Sequence, residues 1–284
     1  MSTPQPPMPQ AAPGAPYAGY TSPIPVVRTH LGHALASEWT KIKSVRSTMW
    51  TLGVFILLVV GIGLSAGALV AANTSSESEL GGESALSLGF FGLLLGSMCI
   101  ITLGVLTTAS EYGTGMIRTT MTACPPRGRV LTAKAIVFFS LAFVVTLVAS
   151  GFVAFVQVGM VSAAREPSGA EWLKGTVGVS LYIALLGLLS LVVGSIVRHS
   201  AGAITIMIAA VLAPLVIAMF MFASSLEDVR QALFEYSIPN QLSIFYANSL
   251  SESGPSGWDP LWIMLGVTAA AFAGAYALLE KRDV

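Results

Sequence analysis

The stretch "MWTLGVFILLVVGIGLSAGALVAA", Met49–Ala72, holds no Asp, Glu, Lys, Arg or His. An α-helix needs roughly 20 apolar residues to cross a bilayer core. A charge at the bilayer centre costs at least about 2.5–3.5 kcal/mol, which accounts for the exclusion. Five further runs read the same way: Leu86–Ala109, Ala135–Met160, Gly175–Val197, Ala201–Ser224 and Leu261–Leu279. The expectation is an all-α polytopic membrane protein with six transmembrane helices spanning about 49–72, 86–109, 135–160, 175–197, 201–224 and 261–279. The first run starts too late and is too long to be the apolar core of a cleaved signal.

Composition agrees. Hydrophobic residues make up 54% of the 284 and charged residues 10%, with a mean hydropathy of +0.77. A soluble domain carries roughly 25% charged residues, so lipid must cover most of this surface. The net charge is zero, which leaves no polybasic signal for nucleic acid. Cys99 lies in an apolar run and Cys124 in a polar one, too few and too differently placed for a disulfide framework or a metal site. Residues 1–27 contain eight of the fifteen prolines and read as a disordered tail, leaving 28–284 as the membrane domain.

Six spans put both termini on one side. That side carries Arg28, Lys41, Lys43, Arg46, Arg118, Arg127, Arg129, Lys134, Arg198, Lys281 and Arg282, eleven basic residues. The other carries three: Arg165, Lys174 and Arg230. The positive-inside rule therefore places both termini in the cytoplasm. The outer connections include the acidic 73–85, where Asn73-Thr74-Ser75 matches a glycosylation pattern by chance. They also include 225–260, which holds two short amphipathic pieces. Leu226, Val229, Leu233 and Phe234 share a face of the first, and Leu242, Ile244, Phe245 and Tyr246 belong to the second. These read either as helices at the outer interface or as an ordinary surface loop.

Ahead of the first span, Leu31, Leu35, Trp39 and Ile42 recur at helical spacing, and Lys41, Lys43 and Arg46 stand off that stripe. The expected element is a helix in the inner interface, with Trp39 at headgroup depth and the basic residues on anionic membrane lipid. The competing reading is a basic flank that only obeys the charge rule.

The polar stretch "SEYGTGMIRTTMTACPPRGRVLTAK", Ser110–Lys134, invites a test for nucleotide chemistry. A P-loop requires G-x-x-x-x-G-K-[ST], and the lysine is missing beside Gly113-Thr114-Gly115. No H-E-x-x-H occurs, and His30, His33 and His199 all sit in flanks outside the spans, so no span holds a histidine beside a serine. No catalytic, cofactor or metal site can be assembled. Ion-driven carriers keep ionisable groups within their spans, whereas these spans hold none and Gln157 is their lone amide. If the chain moves a substrate uphill, the energy comes from another polypeptide. Pro214 should kink the fifth span. Gly63-x-x-x-Gly67 and Gly92-x-x-x-Gly96 permit close helix approach, either within one chain or between two.

Three stretches together resemble the permease subunits of type-2 ATP-binding-cassette transporters: "SEWTKIKSVRSTMWTL" (37–52), "SEYGTGMIRTTMTACPPRGRVLTAK" and the "LLEKRDV" tail. The resemblance covers Arg28 to the C-terminus. It implies a bacterial plasma-membrane permease, an exporter, coupled to a separate cytoplasmic ATPase subunit that binds ATP and Mg. It implies a dimer with a second permease copy or paralogue. It makes 29–47 the elbow helix, places short outer helices before the last span, and makes Glu111, Tyr112, Gly113, Thr114, Gly115, Met116, Ile117 and Arg118 the ATPase-coupling interface. In that role Met116, Ile117 and Met121 would form an apolar knob, Arg118, Arg127 and Arg129 would pair with acids on the partner, and Pro125-Pro126 would turn the chain back. By the same resemblance this chain is not an enzyme and binds no cofactor. A sensory or structural membrane subunit that recruits a cytoplasmic partner is the alternative, and a secondary carrier the third.

Overall fold

The structure, a computed structural model, describes residues 30–73, 84–123, 127–246 and 254–281. The proline-rich tail, most of the acidic outer loop with the Asn73-Thr74-Ser75 pattern, Cys124, Pro125-Pro126 and Arg282 fall wholly or partly outside them. Eleven α-helices run in order among the described residues: α1 Leu31–Ser44, α2 Arg46–Asn73, α3 Phe90–Gly113, α4 Met116–Ala123, α5 Arg127–Met160, α6 Gly169–Leu173, α7 Val179–Val197, α8 Ser200–Met219, α9 Glu227–Glu235, α10 Ile238–Ile244 and α11 Asp259–Lys281. A short 3-10 segment, Ala85–Gly89, leads into α3, and a π-helical turn, Lys174–Gly178, leads into α7. Six of these helical stretches are long and apolar enough to cross a membrane. Several run past the apolar stretches read from sequence. The helix of the third span starts at Arg127 rather than 135, and that of the second continues to Gly113.

The spans pack unequally. The stretches ending in α3 and α7 have 61% and 72% of their most apolar windows buried, against 17–33% for the other four. Helix α3 packs on α2, α7 and α8, and α7 also packs on α5, α8 and α11. Lipid is as apolar as leucine, so close approach rather than hydrophobicity must hold such a pair together. Here it is reached through small residues. A Cβ added at Gly104 would lie 2.4 Å from the Gly187 carbonyl oxygen, and one at Gly194 would lie 2.9 Å from that of Val105. Thr108 Oγ1 donates across the same contact to the Leu191 carbonyl at 2.8 Å. The two glycine pairs singled out in the sequence serve packing within the chain. Gly92 and Gly96 meet Val59 and Phe55 of α2, and Gly63 and Gly67 meet Val153 and Gln157 of α5. Gln157 is fully buried, and its Nε2 donates to the Gly63 carbonyl at 2.8 Å.

The connection between the last two spans forms two short helices. Helix α9 is a surface helix with Leu226 and Val229 exposed. Helix α10 is buried and packs on α3, α8 and α11. Its entry is capped by Ser237, whose Oγ accepts from the Asn240 N–H at 3.3 Å. The polar side chains carried inward find partners: Asn240 Nδ2 donates to the Glu235 carbonyl and Gln241 Nε2 to that of Tyr236, each at 2.8 Å. Helix α8 continues through Pro214 to Met219.

Candidate functional site

Most of the basic residues sit at the end of the bundle that carries α1, α4, the α7–α8 turn and the end of α11. The α3 helix finishes at Gly113, and the Thr114 N–H donates to the Ser110 carbonyl at 3.0 Å. Gly115 follows at φ 71, a left-handed conformation that glycine adopts without steric cost. That reversal starts α4 at Met116, with the Arg118 N–H returning to the Gly115 carbonyl at 3.2 Å. Gly113, Thr114, Gly115, Met116 and Arg118 are all exposed. Tyr112 is half-buried, and the Arg198 guanidinium lies 4.9 Å from its ring centre. This cation–π contact fixes the end of α3 to the α7–α8 turn. Arg198 itself adopts φ 57 as it closes α7.

Two of the residues expected to face a partner are turned inward instead. Ile117 is 7% exposed. With Met121 one turn later, it lines a void of about 20 Å³ beneath α4, shared with Val130, Leu131 and Leu279. The apolar knob expected from Met116, Ile117 and Met121 therefore reduces to Met116, which is 43% exposed. The reason is helical spacing: Ile117 and Met121 share one face and Met116 does not. Glu111 is buried as well, held between the Lys41 and Lys134 ammonium groups.

Helix α1, Leu31–Ser44, falls within the expected 29–47 and breaks from α2 at Val45, where the backbone is extended. Leu31 and Trp39 are exposed, Leu35 is partly buried and Ile42 is buried. Lys43 and Arg46 are exposed. Lys41 departs from the expectation that it stands on lipid. It turns inward, and its Nζ lies 2.8 Å from Glu38 Oε1 and 3.0 Å from Glu111 Oε1. Lys134, near the start of α5, reaches Glu38 Oε2 at 2.7 Å and Glu111 Oε1 at 2.8 Å. Burial alone would lower the Lys41 pKa, but the hydrogen bond to Glu38 and the charges of Glu111 and Glu38 outweigh it and hold it above the ordinary lysine value. Buried charges persist only when paired in this way. Beside the cluster a groove of about 650 Å³ runs between α1 and the ends of α2, α3 and α4.

Sequence reading missed Glu38, and gave Lys134 only a place on the basic side. Two signals pointed to Glu38. Glu38 falls on the Leu35–Ile42 face at helical spacing. In the six-span reading ten of the fourteen acids fall on the side away from the termini, so Glu38 and Glu111, lying among the basic residues on the termini's side, stand out. A second, partly buried contact ties the same end together: Arg127 Nη1 donates to the Leu279 carbonyl at 3.2 Å, joining α5 to the end of α11. Among the described residues no group of His, Cys, Asp and Glu could hold a metal ion.

A family model described as "ABC-2 family transporter protein" matches residues 34–225, from within α1 through α8. Among curated proteins none matches the chain. The match covers about two thirds of the chain and includes five of the six spans, the α3–α4 turn and all four members of the charged cluster. The chain therefore belongs to the ABC-2 family of transporter proteins, as a multi-pass membrane permease of the kind that pairs with an ABC ATPase.

Proposed function

We propose that this chain is the permease of a bacterial exporter, with both termini in the cytoplasm, and that a separate ATPase drives it by pressing on the α3–α4 turn. The observation that carries this reading is the exposed turn at the basic end. Gly113–Gly115 reverse the chain sharply, and Met116 and Arg118 project from it while Ile117 and Met121 anchor α4 to the bundle. An exposed apolar side chain beside an arginine on an anchored helix suits insertion into a cleft of a partner. ATP and Mg belong to that partner, and this chain hydrolyses nothing. A second copy of the chain or a paralogue completes the transport path, and lipid headgroups cover Lys43 and Arg46 on α1.

The uneven burial of the spans supports a path made by more than one chain. Helices α2, α5, α8 and α11 expose rows of large apolar side chains, Phe152 and Phe155 on α5 and Ile217 and Met219 on α8 among them. Binding of ATP would draw the two ATPases together, and the push on each α4 would rock the helices and change the side to which the path opens.

Copurification of the tagged full-length chain with its ATPase tests this. Met116→Asp should leave the permease folded and lower ATPase recovery by about tenfold or more, the loss typical of a buried interface anchor. Ile117→Asp should instead damage the permease itself, because that side chain is buried. Recovery of a kinase or regulator in place of an ATPase, or full ATPase recovery with Met116→Asp, would overturn the reading.

A further inference from the structure

The charged cluster at the basic end is a closed ring rather than a set of separate pairs. Lys41 meets Glu38 at 2.8 Å, Glu38 meets Lys134 at 2.7 Å, Lys134 meets Glu111 at 2.8 Å and Glu111 meets Lys41 at 3.0 Å. The signs alternate around it and the net charge is zero. The side chains of Glu38, Glu111 and Lys134 are each 4% exposed, and that of Lys41 is 25% exposed. Its members come from three helices, α1, α3 and α5. Lys41 also reaches Thr120 Oγ1 of α4 at 3.4 Å, so α4 touches the ring as well.

This arrangement has a mechanical consequence. Each charge has two neighbours of opposite sign, so removing any one leaves two buried charges short of a partner. Sliding α1 against the α3–α4–α5 hairpin would separate buried opposite charges, where attraction is far stronger than in water. We propose that Glu38, Lys41, Glu111 and Lys134 are positioning residues that lock the interfacial helix to the hairpin, so that a displacement delivered to α4 carries α1 with it. The delivery of that displacement rests on the coupling reading above; the lock does not.

The alternating order makes a test that isolated salt bridges would fail. Exchanging one opposite pair, Glu38→Lys with Lys134→Glu, sets Lys against Lys at 38 and 41 and Glu against Glu at 111 and 134. Inverting all four (Glu38→Lys, Lys41→Glu, Glu111→Lys, Lys134→Glu) restores alternation and leaves the net charge unchanged. The experiment uses the full-length protein with Cys99 and Cys124 replaced by serine and spin labels at Lys43→Cys on α1 and Thr122→Cys on α4, both exposed positions. Pulsed dipolar spectroscopy then reads their separation without nucleotide and in the ATP–vanadate trapped state.

The unmodified ring should give one narrow distance that is the same in both states. Lys134→Met and the two-residue exchange should broaden it about twofold or more, and the four-residue inversion should restore it. Unchanged width in the first two variants would overturn the proposal. So would rescue by the two-residue exchange as good as that by the inversion, or a four-residue inversion that is not monodisperse by size exclusion. If no ATPase copurifies, the coupling reading fails, and the widths measured on the permease alone still decide the lock.

Discussion

Replacing Gly104 by alanine should loosen the central helix pair and destabilise the bundle. The added methyl would sit 2.4 Å from the Gly187 carbonyl oxygen, and 3.2 Å from both the Leu191 nitrogen and Ser190 Cβ. The first of these atoms is backbone, so no rotamer change relieves the contact. Restoring an ordinary separation of about 3.4 Å requires α3 and α7 to part by about 1 Å near Gly104. A shift of that size would stretch the 2.8 Å bond from Thr108 to the Leu191 carbonyl beyond hydrogen-bonding range. Overpacking of this kind costs about 1–3 kcal/mol, and an interhelical hydrogen bond in a membrane protein contributes on average about 0.6 kcal/mol. The expected loss is therefore about 2–4 kcal/mol. Unfolding in mixed micelles by SDS titration would measure it. Gly61→Ala is the matched control, since nothing lies within 4 Å of its added Cβ. Gly67→Ala should fall between them, because its nearest neighbour, at 3.2 Å, is the flexible Gln157 side chain. Equal stability for Gly104→Ala and Gly61→Ala would refute the claim that this crossing holds the bundle together.

Sidedness and pH give two further expectations. In sealed inside-in cells on a cysteine-free background, a membrane-impermeant maleimide should label Asp228→Cys on α9 and leave Thr122→Cys on α4 unlabelled until the membrane is opened; the reverse pattern would invert the topology. Lys41 has a folded pKa raised above the ordinary lysine value of 10.5, so its stabilising contribution is complete below that value and is lost as pH rises through the folded one. Alkaline destabilisation above about pH 10.5 should accordingly be shallower in Lys41→Met than in the unmodified protein, and identical slopes would count against an ionised Lys41 within the ring.

The spans were legible because charge exclusion acts on each helix separately and needs no knowledge of its neighbours. Helix α1 was legible for a similar reason, since Leu35 and Ile42 repeat with the period of a helix. Centrality was not legible. The stretches that contain α7 and α8 have mean hydropathies of 2.3 and 2.5, yet 72% and 22% of their most apolar windows are buried. In lipid a protein-facing leucine and a lipid-facing one are under the same hydrophobic pressure, so hydropathy cannot rank them. The small face Gly187, Ser190 and Gly194 did carry the information, but at spacings of three and four rather than in the glycine pairs that drew notice. The ring was hidden for another reason. Its Glu38–Lys134 and Lys41–Glu111 contacts join residues 96 and 70 positions apart, beyond the reach of any local pattern.

Stability and register come from different parts of this molecule. The α3–α7 crossing joins backbones through small residues and needs no charge, so it suits a fixed axis. A buried ring of ions is a poor source of stability, because apolar replacements of similar volume are often neutral or better. What the ring supplies is discrimination: shifting α1 against α3 and α5 would part Lys41 from Glu111 and Glu38 from Lys134 together. Its position follows from this. At the middle of the bundle the same charges would face the full cost of the bilayer core. At the end, beside a groove of about 650 Å³ and with Lys41 still partly exposed, desolvation is incomplete and the geometric constraint is kept. The exposed α3–α4 turn lies beside that constraint, where a force from outside the membrane would meet a bundle whose register is already set.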